Sequence, residues 1–286
     1  MKCIFTTNDI SDSTYPLLKA AINSLQKNTT LTPVVMMSID TDIEHPNHEE
    51  GDKMIEWLHK KNVEIVYHTP TWYKDIKHFT FKTVTNWSNE FMKNMYLYYP
   101  NYYNMNFIKS ESLRIDIPIV FPDEEYVMYV DCDVLFLKDP EIKPFEKPLA
   151  AALRGSFFNN GVMVFNIPLM KESYEDFLTF FLKSNYSFVI GETTSQGAYN
   201  TYYHDKVAKM PLKLNWHVFT GKDKDVTIAH FCGASPYDYI KIQKQLDEHP
   251  KKPEYEMMYA SCLNGSVKYF IEEWNKYAEE KDKMKL

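Results

Sequence analysis

Apolar positions in the first third of the chain alternate between short unbroken runs and helix-periodic stretches. Residues 2–7 (Lys-Cys-Ile-Phe-Thr-Thr) predict a first strand that ends in the polar stretch Asn8-Asp9-Ile-Ser-Asp12-Ser-Thr14-Tyr15-Pro16. Proline suits the first turn of a helix, with Ser13 or Thr14 near the N-cap. Leu17, Ala20, Ala21, Ile22 and Leu25 then keep helical spacing to about Asn28. Residues 33–39 predict a second strand, residues 48–61 a helix with Met54, Ile55 and Leu58 on one face, and residues 63–67 a third strand. This β-α-β-α-β order builds one half of a doubly wound sheet.

The next clear signal is Tyr126-Val-Met-Tyr-Val-Asp131-Cys-Asp133-Val-Leu-Phe-Leu. An apolar β-forming run of this kind is a buried central strand, and ligands of open α/β sheets bind at the carboxyl ends of such strands. Asp131 and Asp133 therefore fall where a ligand binds, unless they merely close a polar turn. Two carboxylates this close repel unless a cation lies between them. Oxygen donors suit magnesium or manganese, ions that commonly share their shell with substrate phosphates. Residues 70–112 are aromatic and polar without clear period, and suggest a lid, a substrate wall or packed helices. Helices are expected there at 84–98 and at 108–117, the latter carrying Arg114. Further on, residues 149–153 predict a strand, and Asn159-Asn160-Gly161 a polar turn running into another strand that ends at Asn166. Residues 171–184 predict an amphipathic helix, and Ser195 the start of another. Residues 214–219 and 226–231 predict late strands, and residues 266–281 a charged amphipathic helix.

Composition narrows the class. The chain has 286 residues, 44% hydrophobic and 25% charged, which is ordinary for a globular α/β protein. Net charge of −7 gives a nucleic-acid partner no general attraction, so none is expected. Aromatic content is 15%, enough to supply stacking faces for sugars, although an aromatic-rich core accounts for it more readily. Cys3, Cys132, Cys232 and Cys262 are scattered without metal-ligand spacing, which argues against zinc and for reduced thiols. No apolar stretch reaches the roughly 18 residues of a membrane span, and no secretory signal is visible. A cytoplasmic location is the expectation. Neither a Gly-x-Gly-x-x-Gly turn nor a Walker loop follows the first strand. A bound nucleotide would be held instead by Thr7, Asn8 and Asp9, and by the metal.

Five motifs in order then resemble glycosyltransferase family eight, the GT-A-fold enzymes that include glycogenin and bacterial lipopolysaccharide galactosyl- and glucosyltransferases. They are Glu111-Ser-Leu-Arg114-Ile-Asp-Ile-Pro, Asp131-Cys-Asp133, Phe158-Asn159-Asn160-Gly161-Val, Ser195-Gln196-Gly197-Ala-Tyr-Asn200 and His230-Phe-Cys-Gly233. The resemblance spans roughly residues 2–240. It implies a single Rossmann-like, mostly parallel mixed sheet flanked by helices, a GT-A domain over 1–250 and a helical extension over 251–286 packed on it. It also implies transfer of a hexose-type sugar from a UDP-sugar to a hydroxyl of a glycan or protein, with retention and with manganese (magnesium as the alternative). Asp131, Asp133 and His230 would ligate the metal, while Thr7, Asn8, Asp9, Asp131 and Gly233 would bind the nucleotide. Arg114, Asn159, Asn160 and Gln196 would bind donor sugar or phosphate, with Gln196 and Asn159 nearest the chemistry.

The chain departs from the family at four places. Ser195 and Gly197 replace aspartates, Arg154 falls where another is expected, and Ser235-Pro-Tyr replaces Lys-Pro-Trp. These changes touch the donor-sugar side and leave the metal residues intact. Two other functions compete. One is a UDP-sugar or glycan-binding protein without turnover. The other is a haloacid-dehalogenase-type phosphohydrolase, in which Asp-x-Asp sits on the first strand with a threonine where this chain has Leu135.

Overall fold

The computed structural model describes residues 1–8, 14–38, 48–75, 110–184, 195–232, 235–240 and 265–285. A seven-stranded sheet runs β3-β2-β1-β4-β7-β6-β8, with β1 Lys2–Asn8, β2 Thr32–Ser38, β3 Glu64–Tyr67, β4 Tyr126–Val130, β6 Leu149–Arg154, β7 Phe157–Asn166 and β8 Val207–Lys209. β7 is antiparallel to both neighbours, and every other pairing is parallel. The mostly parallel mixed sheet expected from the sequence is present. A second sheet of β5 (Val134–Phe136), β10 (Ile228–His230) and β9 (Trp216–His217) stands beside it.

Side-chain alternation divides the interior in two. Cys3, Phe5, Val35, Met37, Met128, Val130, Val162 and Val164 face one core. Ile4, Val34, Met36, Val127, Tyr129, Met163 and Phe165 face the other. Strands buried on both faces must be apolar at every position, which is why they read as unbroken runs. Each fully buried Phe or Leu contributes about 1.5–3 kcal/mol.

Helix α1 (Tyr15–Asn28) starts on Pro16 and buries Leu17, Leu18, Ala21, Ile22 and Leu25. It also pins the short strand β5. The Phe136 N–H donates to Ser24 Oγ at 3.0 Å, and Asn28 Nδ2 donates to the Phe136 carbonyl at 2.7 Å. Helix α2 (His48–Lys60) follows β2, so the β-α-β-α-β opening holds. A 3-10 turn at Leu113–Asp116 and the short α3 (Ile117–Val120) precede β4.

Several local expectations change. Asn159, Asn160 and Gly161 are not a turn but lie inside β7, in the irregular stretch where its register with β6 shifts between Ala151 and Leu153. The reversal is a two-residue hairpin loop at Gly155-Ser156, where Gly155 takes φ 71° at no Cβ cost. The helix expected at 171–184 is two helices, α4 (Ile167–Glu172) and α5 (Tyr174–Lys183), broken at Ser173. Pro168 starts the first, and the Ser173 hydroxyl folds back on the carbonyls of Leu169 and Met170. Of residues 214–219 only Trp216 and His217 are strand, because 3-10 turns flank them. β8 was not anticipated; three residues carry too little pattern. α6 (Ser195–Tyr202) packs on β7, and α7 (Ser266–Asn275) ends earlier than the charged run does. Val267, Phe270, Ile271 and Trp274 of α7 enter the same core as Met210, Leu214 and Val218. The helix expected at 84–98, together with Asp9 and Gly233, lies outside the described residues. Among those described, no helix is long and apolar enough to cross a membrane.

Candidate metal centre

The run through Asp131 and Asp133 crosses from one sheet to the other. β4 ends at Val130 in the main sheet, and β5 begins at Val134 in the second. The two aspartates occupy the junction. The Asp131 N–H is held by the Gly161 carbonyl at 2.8 Å, and the Asp133 carbonyl accepts from the Phe231 N–H at 3.0 Å. β10 pairs with β5 so that His230 stands opposite Val134. His230 Nε2 consequently lies 3.1 Å from an Asp133 oxygen and 3.8 Å from an Asp131 oxygen. One ligand atom from each of the three residues lies within 4.8 Å of the others.

The ring of His230 is oriented from behind. Its Nδ1 donates to Asn215 Oδ1 at 2.8 Å, and Asn215 Nδ2 donates in turn to Asn159. An amide oxygen can only accept, so the neutral ring presents its lone pair on Nε2, toward the aspartates. Burial alone would lower the pKa of His230, but Asp133 and Asp131 outweigh it and raise the value. Burial would likewise raise Asp133, and His230 with backbone N–H donors lowers it.

Gly161 makes the close approach feasible. A Cβ there would sit 2.2 Å from His230 Cε1 and 2.6 Å from Asp131 Oδ2, closer than atoms can come. The glycine is required for space.

Arg114 backs the site from the 3-10 turn. Its guanidinium lies 3.3 Å from Asp131, 3.6 Å from Glu111 and 3.2 Å from the Asn160 carbonyl, and stacks 4.3 Å over the Tyr129 ring. Only 3% of the side chain is exposed. Tyr129, on the same face of the strand as Asp131, donates its hydroxyl to that carboxylate at 2.5 Å. Glu111, Asp131 and Asp133 carry three negative charges against the single fixed charge of Arg114. With His230 neutral the group is two charges short of balance, which is what a divalent cation supplies. Two carboxylates and an imidazole form a donor set that fits manganese or magnesium.

The remaining expected residues gather round this point. Gln196, in the first turn of α6, accepts the Asn160 N–H through Oε1 at 3.0 Å. Asn160 Nδ2 donates to Ser195 Oγ, and the Ser195 hydroxyl donates to Glu111. Glu111 also accepts the Ser195 N–H, so a carboxylate caps the positive end of α6. Asn159 Oδ1 accepts the Gly161 N–H, and its Nδ2 lies 3.4 Å from Cys232 Sγ. Thr7 is buried near the end of β1, and Asn8 closes that strand opposite Ser38. Sequence reasoning missed Asn215, Tyr129 and His217. Of these only His217, a histidine inside the late apolar run 214–219, carried a signal in the sequence.

His217 sits beside His230 in the β9–β10 ladder, its ring 5.6 Å away and edge-on. Burial, then the nearby His230 and Arg154, push its pKa down to about 2.

No family model and no curated protein sequence matches this chain. Solved structures do. The bifunctional glycosyltransferase WbbM is 14% identical with a TM-score of 0.53, over 91% of this chain and 51% of that one. The glycosyltransferase GlyE of Streptococcus pneumoniae is 15% identical with a TM-score of 0.55, over 90% and 62%. The galactosyltransferase LgtC in complex with donor and acceptor sugar analogues is 14% identical with a TM-score of 0.52, over 90% and 100%. The chain thus spans about half of WbbM, less than two-thirds of GlyE and the whole of LgtC. At these identities the likeness concerns the fold, and that fold is GT-A.

Proposed function

We propose that the chain is a divalent-metal-dependent glycosyltransferase that moves a hexose-type sugar from a UDP-sugar to a hydroxyl of a glycan or other acceptor, with retention at the anomeric carbon. The observation that carries this reading is the convergence of Asp131, Asp133 and His230 at the carboxyl end of the central strand of a GT-A fold. The three side chains would hold manganese, with magnesium as the alternative. When bound, the ion would act as a Lewis acid toward the leaving diphosphate.

The chain's own groups would do the positioning. Thr7, Asn8 and Asp9, where β1 ends, would face base and ribose, with Gly233 beside the nucleotide. Arg114 would act through Asp131, whose carboxylate it steadies, and through its positive field on donor phosphate. Asn159 and Asn160 would meet sugar hydroxyls. The Gln196 amide is anchored through its oxygen by the Asn160 N–H. It would orient the donor and stabilise positive charge developing at the anomeric carbon, since an amide is a poor nucleophile. The acceptor hydroxyl would attack from the face the UDP leaves, which preserves the anomeric configuration.

The test is UDP release from a panel of UDP-sugars with manganese, with and without EDTA. One or more donors should be hydrolysed or transferred, and EDTA should stop it. No turnover or binding on any donor would overturn the proposal. Tight UDP binding with no turnover would favour a sugar-nucleotide-binding protein instead.

A further inference from the structure

Three groups next to the aspartate pair have softer chemistry than it does. His217 and His230 are lateral neighbours on parallel strands. Cys232 follows two residues later, at φ 51°, a left-handed turn uncommon for a residue with a Cβ. That turn brings its sulfur back to Asn159 Nδ2, at 3.4 Å. One ligand atom each from His217, His230 and Cys232 lies within 4.8 Å of the others. His217 is 7% exposed, and its Nε2 is buried with no hydrogen-bond partner among the described residues. A buried polar atom without a partner is costly, and a ligand is one way to satisfy it.

We infer that His217, His230 and Cys232 form a second metal site, one that takes zinc or a similarly thiophilic ion and shares His230 with the aspartate site. Two imidazoles and a thiolate are zinc ligands, whereas two carboxylates and an imidazole suit manganese. Ligation breaks the Cys232 S–H bond, forms an S–Zn bond and releases the proton to solvent. Both groups draw on His230, so zinc here competes with the aspartate pair for a ligand. The scattered cysteines gave no zinc signal because spacing rules detect chelates that are local in sequence. These ligands are instead brought together by cross-strand pairing and the turn after β10. The inference does not depend on the proposed transfer reaction, because it is read by metal binding alone.

The experiment titrates zinc into the chelator-stripped full chain against a chromophoric competitor. One zinc should bind per chain. Cys232→Ser and His217→Gln should each weaken it by roughly 10–100-fold, the range for disturbed metal sites. Asp131→Asn should weaken zinc by less than either, since it removes a neighbouring charge of His230 but no ligand. Cobalt in place of zinc should show a thiolate charge-transfer band that Cys232→Ser removes and Asp131→Asn keeps. Bound manganese, followed by electron paramagnetic resonance, should fall as zinc is added to the wild type. Absence of zinc binding, or affinity equal in wild type and Cys232→Ser, would overturn the inference. So would a loss of zinc in Asp131→Asn as large as in Cys232→Ser, which would place zinc at the aspartates. Cys232→Ser is isosteric and only half-buried, so it keeps the test decisive where His217→Gln fails to fold.

Discussion

Two aspartate–histidine groups lie either side of the same 3-10 turn, and they are built to opposite ends. Asp116, two residues after Arg114, is 1% exposed. One of its oxygens accepts from Trp72 Nε1 at 2.8 Å and from the Tyr174 hydroxyl at 2.7 Å; the other meets His68 Nε2 at 2.7 Å. One charge is surrounded by three donors, and nothing further is needed. The other group puts Asp131 and Asp133, 28% and 19% exposed, around a single imidazole, with the Arg114 guanidinium behind Asp131. There the carboxylates outnumber the fixed cations and face one another. A histidine partner alone does not distinguish a structural aspartate from one proposed to hold a metal. What distinguishes them is whether lone pairs and charge are already satisfied by the chain.

The comparison can be broken at either group, and the largest effect is expected at the unsatisfied one. Asp133→Ala should lower metal-dependent turnover by roughly a thousandfold, in keeping with the several kcal/mol a metal contributes to charge stabilisation. Its thermal unfolding should barely move; a large loss of stability with metal affinity intact would reverse the assignment. Asp116→Ala should do the opposite. Three buried donors lose their acceptor, and urea denaturation should show a loss of about 3–5 kcal/mol, while manganese affinity of the remaining folded protein stays the same. An undiminished denaturation midpoint would remove Asp116 from its structural role. Gly161→Ala sharpens the boundary, since the added methyl displaces His230 and Asp131 without touching any charge. Manganese affinity, measured calorimetrically, should drop about 10–100-fold. If it does not, the ion is not held between those two residues. The smallest change is His68→Gln, at a side chain 25% exposed, where Trp72 and Tyr174 still satisfy Asp116. Less than about 1 kcal/mol of stability should be lost, with no effect on metal binding.

Much of the fold was legible because the pattern is imposed by burial. Strands β1, β2, β4 and β7 are apolar on both faces, and the helical stripe of α1 is regular, so each showed in the sequence. Boundaries failed where side-chain hydrogen bonds rather than apolar period decide, as at Ser173 between α4 and α5. Asn159-Asn160-Gly161 looked like a turn because that composition favours one in isolation. In the folded chain the segment is an irregular stretch inside β7, held by the Gly161 carbonyl to the Asp131 N–H, and the reversal falls at Gly155. The aspartate pair and His230 could be named from the sequence as candidates, and the metal bound there remains a proposal. Asn215, which orients His230, and Gly161 as the residue that admits it could not, because nothing local marks either role.

The sequence by itself determined the α/β alternation, the central apolar strand and the two carboxylates at its carboxyl end. Those follow from periodicity, which each segment carries within a few residues. Only the tertiary structure decided which of several aspartates keeps unspent charge, and which histidines stand side by side. Asp131, His217 and His230 come together through strand pairing and packing across nearly a hundred positions. Whether a carboxylate is saturated depends on donors delivered from elsewhere in the chain, such as Trp72 and Tyr174, 44 and 58 positions from Asp116.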